Sequence, residues 1–189
     1  MLGGLGETLE TARLLLPPWS DADTDVLARM AAEPRVVKYV GDGQCWSAEK
    51  AADVSRGVIE HWQAHGFGWR VAVEKKSGER VGLVALNFVG EGTAGLDADE
   101  HEIGWWLLPS AWGRGLASEG ARAVCEECFT RVGAPSVVAR LQPANVASAQ
   151  VATRIGMQHE LDTIGRVGER AAVYRLRAAD GSKGEGDRA

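Results

Sequence analysis

The sequence predicts an α+β protein with a mixed sheet. Three observations carry that reading. Short apolar runs of strand length alternate with amphipathic runs of helical length in the order β-α-α-β-β-β-α-β-α-β-β. Two of the runs, 69–73 and 81–88, flank the turn Lys75-Lys76-Ser77-Gly78 and read as a hairpin. A third, Glu102 to Leu108, passes through Pro109 into Gly113-Arg114-Gly115 and then into a helix. The 189 residues, 45% of them hydrophobic, suit one domain with a substantial core.

The elements follow in order. Thr11–Leu16 is short and apolar and reads as the first strand, stopped by Pro17-Pro18. Ser20 or Asp21 caps a helix carrying Val26, Leu27, Met30 and Ala31 on its apolar side, and Pro34 ends it. Residues 36–40 are a short helix or an extended piece before the Gly41-Asp42-Gly43 turn. Ser47 caps the next helix, with Lys50 where a capping box has an acid; Val54, Val58, Ile59 and Trp62 give its apolar face. Trp69–Val73 and Val81–Phe88 are strands, and 91–100 is an acidic loop. Trp105 to Leu108 is too apolar for a loop and too short for a helix. Beyond Gly115, Ala117, Ala121, Val124, Cys125, Cys128 and Val132 recur at helical spacing, with Glu119, Arg122, Glu126 and Arg131 on much of the other side. Ser136–Leu141 is a strand, and Asn145–Arg154 is a helix ended by Gly156. Gln158–Ile164 and Ala172–Leu176 form a closing hairpin about Gly165 and Gly168. Residues 1–177 thus read as one domain, and the polar, glycine-rich 178–189 as a disordered tail.

Composition excludes several classes. A net charge of −5 leaves no basic footprint for nucleic acid and mildly favours a cationic or neutral partner. No run of about 18 apolar residues exists to span a membrane. Met1 to Gly6 lacks the basic-then-apolar pattern of a secretion signal, so the cytoplasm is expected. Three cysteines make no disulfide framework, and Cys125-x-x-Cys128 lacks the second ligand pair of a zinc site, so no metal is expected.

The Gly113-Arg114-Gly115 turn exposes backbone N–H groups at a helix start, where an anion such as phosphate is the natural occupant. It is no Walker loop, lacking Gly-Lys-Ser/Thr. It is no dinucleotide fingerprint either, since Ser118 stands where that pattern has its third Gly or Ala.

Three separated blocks, Thr11-Ala12-Arg13-Leu14-Leu15-Leu16, Glu102–Leu107 with Trp112–Glu119, and Asn145-Val146-Ala147-Ser148 with Ile155-Gly156-Met157, give the chain its resemblance. It resembles the GCN5-related N-acetyltransferase (GNAT) superfamily, and within it the ribosomal-protein-alanine acetyltransferase-like (RimJ/RimL-like) branch. The likeness covers roughly residues 8–177. It implies a three-layer fold, with a mixed, twisted seven-strand sheet splayed between the fourth and fifth strands and helices on both of its faces. Acetyl-CoA would be the cosubstrate. Its pantetheine arm would pair with Trp106, Leu107 and Leu108, its pyrophosphate would rest on Trp112, Gly113, Arg114, Gly115, Leu116, Ala117 and Ser118, Ser148 would contact the arm, and Asn145 would contact the arm, cap the helix start, or do both.

The implied reaction is acetyl transfer to a primary amine of a protein N-terminus or a small molecule. A homodimer is compatible with the resemblance. Glu102 is the candidate base, with Glu100 and His101 as neighbours; regular alternation puts Glu100 and Glu102 on one face and His101 on the other. A strand N–H near Leu107 would receive the oxyanion. Ser148 is the candidate to protonate the departing thiolate, directly or through water, or else only to hold the sulfur in place, because Ala152 occupies the position of the tyrosine that many members use. Trp112 departs from the Gln or Arg of the broader family. Arg114 is either near the pyrophosphate or solvated. Trp46, Phe67, Trp69 and Trp106 are either core or the lining of an acceptor slot. The alternative to an enzyme is a catalytically silent acyl-CoA-binding or interaction module on the same fold, which Ala152 keeps open.

Overall fold

The structure is a computed structural model and describes residues 6–165 and 168–178. One mixed sheet holds strands β1 (Leu9–Glu10), β2 (Leu14–Leu16), β3 (Arg70–Glu74), β4 (Arg80–Phe88), β5 (His101–Leu107), β6 (Ser136–Leu141), β7 (Gln158–Ile164) and β8 (Arg170–Arg177). They lie in the order β1-β2-β3-β4-β5-β6-β8-β7, and every neighbouring pair is antiparallel except β5 and β6. The helices are α1 (Thr24–Ala31), α2 (Pro34–Val37), α3 (Ala48–His65), α4 (Leu116–Glu127) and α5 (Val146–Arg154).

The period of two along the central strands sorts side chains onto the two faces of the sheet. Leu83 and Ala85 of β4 pack with Leu27 and Met30 of α1 and Trp62 of α3. Val84 and Leu86, with Ile103 and Leu107 of β5, pack with Leu116 and Val124 of α4 and Ala152 of α5. Gly120 lets α4 approach β4 closely: a Cβ there would stand 3.0 Å from Val84 Cγ2. Ser47 caps α3 as expected, its hydroxyl accepting the Lys50 N–H at 3.1 Å.

Four expectations are corrected. The first strand is broken in two, so the sheet has eight strands rather than seven. Thr11 closes a tight turn on Leu14, with its N–H donating to the Leu14 carbonyl and its hydroxyl accepting the Leu14 N–H. Glu119 takes up the Arg13 N–H, so residues 11–13 leave the ladder. Pro34 does more than end a helix, because it opens α2 at the first helical position, where its missing N–H costs nothing. The strand at 102–108 starts at His101 and stops at Leu107, since Leu108 leads into a 3-10 turn at Pro109–Ala111. The helix after Gly115 ends in a π-turn over Cys128–Val132, closed by Gly133. Ala178, the first residue of the expected tail, donates its N–H to the Pro135 carbonyl. Residues 179–189, like 1–5 and the 166–167 part of the expected closing turn, lie outside the described residues.

A buried ion pair went unread in the sequence. Arg70, wholly buried on β3, donates to both oxygens of Glu127 at 2.6 and 2.8 Å, and also to the Leu16 carbonyl. It fastens the end of α4 to the first strands.

Candidate active site

The site begins where two strands part. β5 and β6 pair only through His101↔Val137 and Glu102↔Val138. Beyond that point β5 stays with β4 while β6 stays with β8. The expected splay therefore lies between β5 and β6. The Leu108 N–H donates to the Val81 carbonyl. Backbone groups alternate sides along a strand, so the N–H and C=O of Leu107 face the split. The indole of Trp112 donates to that carbonyl at 2.7 Å, which leaves the Leu107 N–H aimed into the split.

The turn after β5 has a backbone that suits an anion. Gly113 and Gly115 both adopt the left-handed conformation, with φ of 71° and 76°, which a side chain would resist. A Cβ at Gly113 would meet nothing within 4 Å, so the space over the turn is open. α4 starts at Leu116 and adds the positive end of its dipole. Ser118, at its head, is buried with no partner for its hydroxyl. These features fit a phosphate-bearing ligand with amide groups along its length. The side chain of Arg114 is turned back into an ion pair with Glu74, whose carboxyl that contact holds below its ordinary range. It is Arg13 that reaches the turn, donating to the Arg114 carbonyl at 2.7 Å.

Asn145 caps α5, its side-chain oxygen accepting the Ser148 N–H at 3.2 Å. Ser148 is half-buried one turn along, and Ala152 is wholly buried.

Glu102 lies at the last paired register of β5, where the split opens. Both of its oxygens accept from Arg140 of β6, at 2.7 and 2.6 Å, and Arg140 donates on to the Thr93 hydroxyl at 2.7 Å. The two side chains are 19% and 14% exposed, and Thr93 is buried. Glu100 pairs with Arg175. His101 packs with Phe67 and Phe88. The Nε2 atoms of His101 and His61, in the same ring cluster, have no partner. Burial lowers both imidazole pKa values; the neighbouring His65 and His101 lower that of His61 further.

Asn87 stands opposite Glu102 and accepts from the Trp69 indole at 2.8 Å. Half-buried Trp69, Trp106 and Trp46 then follow, with ring centroids 6.3 and 5.3 Å apart. Phe67 is core and belongs to the histidine cluster instead of this row. Sequence reasoning missed Arg140, Thr93 and the Arg13–Glu119 pair. Nothing in local spacing marks them; Arg13 and Glu119 are 106 residues apart.

Among the described residues no helix is long and apolar enough to cross a membrane, and no group of three or more His, Cys, Asp or Glu is placed to hold a metal ion. Cys125 and Cys128 are buried, and burial pushes both thiols up to about 12.

A strand pair that opens toward a glycine turn and a helix start defines a protein with a cleft suited to a phosphate-bearing ligand. The comparisons make this specific. Residues 13–158 match the acetyltransferase (GNAT) domain family, and the chain belongs to that family of acetyl-CoA-dependent acyltransferases. A curated relative from Aspergillus fumigatus, named FsC-acetyl coenzyme A-N(2)-transacetylase, is 30% identical over 155 residues. That match takes in 80% of this chain but 65% of the relative, so the chain spans less than two thirds of that protein. The crystal structure of an acetyltransferase from Agrobacterium tumefaciens superposes with a TM-score of 0.76 at 28% identity, covering 94% of this chain and 98% of that one. RimL, a ribosomal L7/L12 α-N-protein acetyltransferase solved with coenzyme A, shares the fold with a TM-score of 0.71 at 17% identity, covering 90% and 98%.

Proposed function

We propose that this chain, as one domain over 1–177, transfers the acetyl group of acetyl-CoA to a primary amine by direct attack. The observation that carries the reading is the split between β5 and β6, with the Leu107 N–H aimed into it and the Gly113–Gly115 turn at the end of the same strand. The free Leu107 N–H, on the stretch Trp106 to Leu108 that borders the split, suits the amide-bearing pantetheine arm. The N–H groups of 113–118, with the α4 dipole behind them, suit the pyrophosphate. Asn145 and Ser148, at the head of α5, are the groups for the thioester end.

An amine must be neutral to attack. An α-amino group, with a pKa of about 7.7–8.0, gives up its proton far more readily than a lysine at about 10.4. Glu102 accepts that proton, and because both of its oxygens already accept from Arg140, transfer through one water suits it best. The Leu107 N–H donates to the carbonyl oxygen as the carbon–nitrogen bond forms. Ser148 passes a proton to the sulfur as the carbon–sulfur bond breaks and regains one from the nitrogen, which sheds its second proton as the amide forms. A protein N-terminal amine is the favoured acceptor, by likeness to the L7/L12 enzyme, and a small amine is the second. Free cysteines at 45, 125 and 128 agree with a reducing, cytoplasmic setting.

The test is thiol release from acetyl-CoA with N-terminal peptides, lysine peptides, polyamines and aminoglycosides. Release that depends on one acceptor class, and falls in Glu102→Gln while acetyl-CoA affinity holds, is the expected result. Acetyl-CoA binding with no release across the panel would favour the silent binding module, as Ala152 already allows.

A further inference from the structure

We infer that Arg13 is a positioning residue for the diphosphate of the donor, acting by fixing the direction of the Arg114–Gly115 peptide; this rests on the reading of that turn as the pyrophosphate site. Arg13 sits in the tight turn between β1 and β2, far from the turn in sequence. Glu119, one turn into α4, holds it from three sides: the Arg13 N–H at 2.7 Å, Nε at 2.6 Å and Nη2 at 2.6 Å. The Thr11 hydroxyl donates to the same carboxylate at 2.6 Å. Burial pushes the Glu119 carboxyl up, but the bonds from Thr11 and Arg13 outweigh it and hold the group below its ordinary range.

With two nitrogens so fixed, the third, Nη1, reaches the Arg114 carbonyl at 2.7 Å. The peptide is trans, so its C=O and N–H point to opposite sides. A carbonyl drawn toward Arg13 turns the Gly115 N–H away from Arg13. Glycines at 113 and 115 make this segment free to flip, and nothing in the local sequence selects one orientation. The side chain of Arg114 cannot do so, because it is committed to Glu74. The Arg13 guanidinium also closes one side of the turn, with Nη2 3.5 Å from where a Gly115 Cβ would stand. The anion is thereby left to the other side, where the N–H points.

The experiment compares dissociation constants for coenzyme A and for pantetheine, which keeps the arm and lacks the diphosphate. The full chain, Arg13→Met and Arg13→Lys are measured by calorimetry. The unsubstituted protein should prefer coenzyme A. Arg13→Met should cut that preference by about tenfold, the worth of one charge-assisted hydrogen bond, and Arg13→Lys by less because it keeps one donor. A cooperative unfolding transition establishes that each variant is folded. An unchanged preference in folded Arg13→Met overturns the inference, whereas no preference in the unsubstituted protein overturns the reading of the turn. If Arg13→Met does not fold, Arg13→Lys decides by the same ratio. The Gly115 amide resonance decides again in the unsubstituted protein: it should shift with coenzyme A and stay with pantetheine, and a resonance unmoved by coenzyme A also overturns the inference.

Discussion

Replacing Arg140 by Met tests the junction on which the site is built. The substitution removes two hydrogen bonds to Glu102 and one to Thr93, and keeps much of the apolar stem. Two unit charges about 4 Å apart attract by about 4 kcal/mol at an effective dielectric of 20, and desolvation offsets part of this. The side chains are 14% and 19% exposed, so solvent screens the pair less than it would a surface pair. The stranded Thr93 hydroxyl adds about 1 kcal/mol. The net cost of Arg140→Met is then about 2–4 kcal/mol, and each kcal/mol moves the midpoint of a chain this long by about 2–4 °C.

Thermal unfolding of Arg140→Met, Glu102→Gln and the double variant measures it, with an expected coupling of about 1–3 kcal/mol. Turnover should fall by about tenfold or more in Arg140→Met, even though Glu102 is still present, because a freed carboxylate no longer keeps its place at the mouth of the split. Single costs that add to within about 0.5 kcal/mol, together with unchanged turnover, would refute the reasoning.

Further outcomes follow from other parts of the chain. Gly115→Trp should weaken coenzyme A binding by about a hundredfold, since its side chain would enter on the Arg13 side of the turn and force out the guanidinium that orients the Arg114–Gly115 peptide, losing at least one charge-assisted N–H bond; calorimetry on the folded variant checks this. Only Cys45, the exposed thiol, should react promptly with a chromogenic disulfide reagent in the native state, giving one equivalent, and three after unfolding. His61 and His101 have lowered pKa values in the folded state, so as pH falls below about 6.5 the unfolded chain binds protons that the folded chain refuses. Stability should be full above that pH and decline below it, and His61→Phe should flatten the decline in melts between pH 7.5 and 5.5. Arg70→Met should cost about 3–5 kcal/mol, because Glu127 stays buried with only Arg131 as its cationic partner; a midpoint drop under about 5 °C would contradict it.

The parts of the fold legible in the sequence are those set by neighbouring residues. Apolar period revealed the buried faces of α3 and α4, Pro109 marked the end of β5 to within a residue, and Asn145 stood at the start of α5. The phosphate turn was legible because Gly113 and Gly115 impose its backbone. The break after Glu10 was not, because its cause is a carboxylate from α4 taking the Arg13 N–H. The engagement of Glu102 was equally hidden. Its partner Arg140 comes from β6, which reaches it by a parallel crossover, and a spacing of 38 residues carries no periodic signal. Arg114 drew attention by its place between two glycines, yet a carboxylate on β3 claims it.

These hidden contacts share one geometric purpose. α4 must stand at a fixed height over β5 if, as proposed, its first turn and the N–H of Leu107 serve two ends of one ligand. Apolar packing alone holds a helix on a sheet but lets it slide along its axis. Here each end is tied by an arginine from the early part of the chain, Arg13 of the β1–β2 turn to Glu119 at the head and Arg70 of β3 to Glu127 at the tail. The separation of the two acids along one helix face is fixed by the helix, and that of the two arginines by the β2–β3 pairing. Sliding in either direction would break both pairs at once, and one of them is buried where an unpaired carboxylate is costly. The same ion pairs that stabilise the fold therefore set the distance between the phosphate turn and the split.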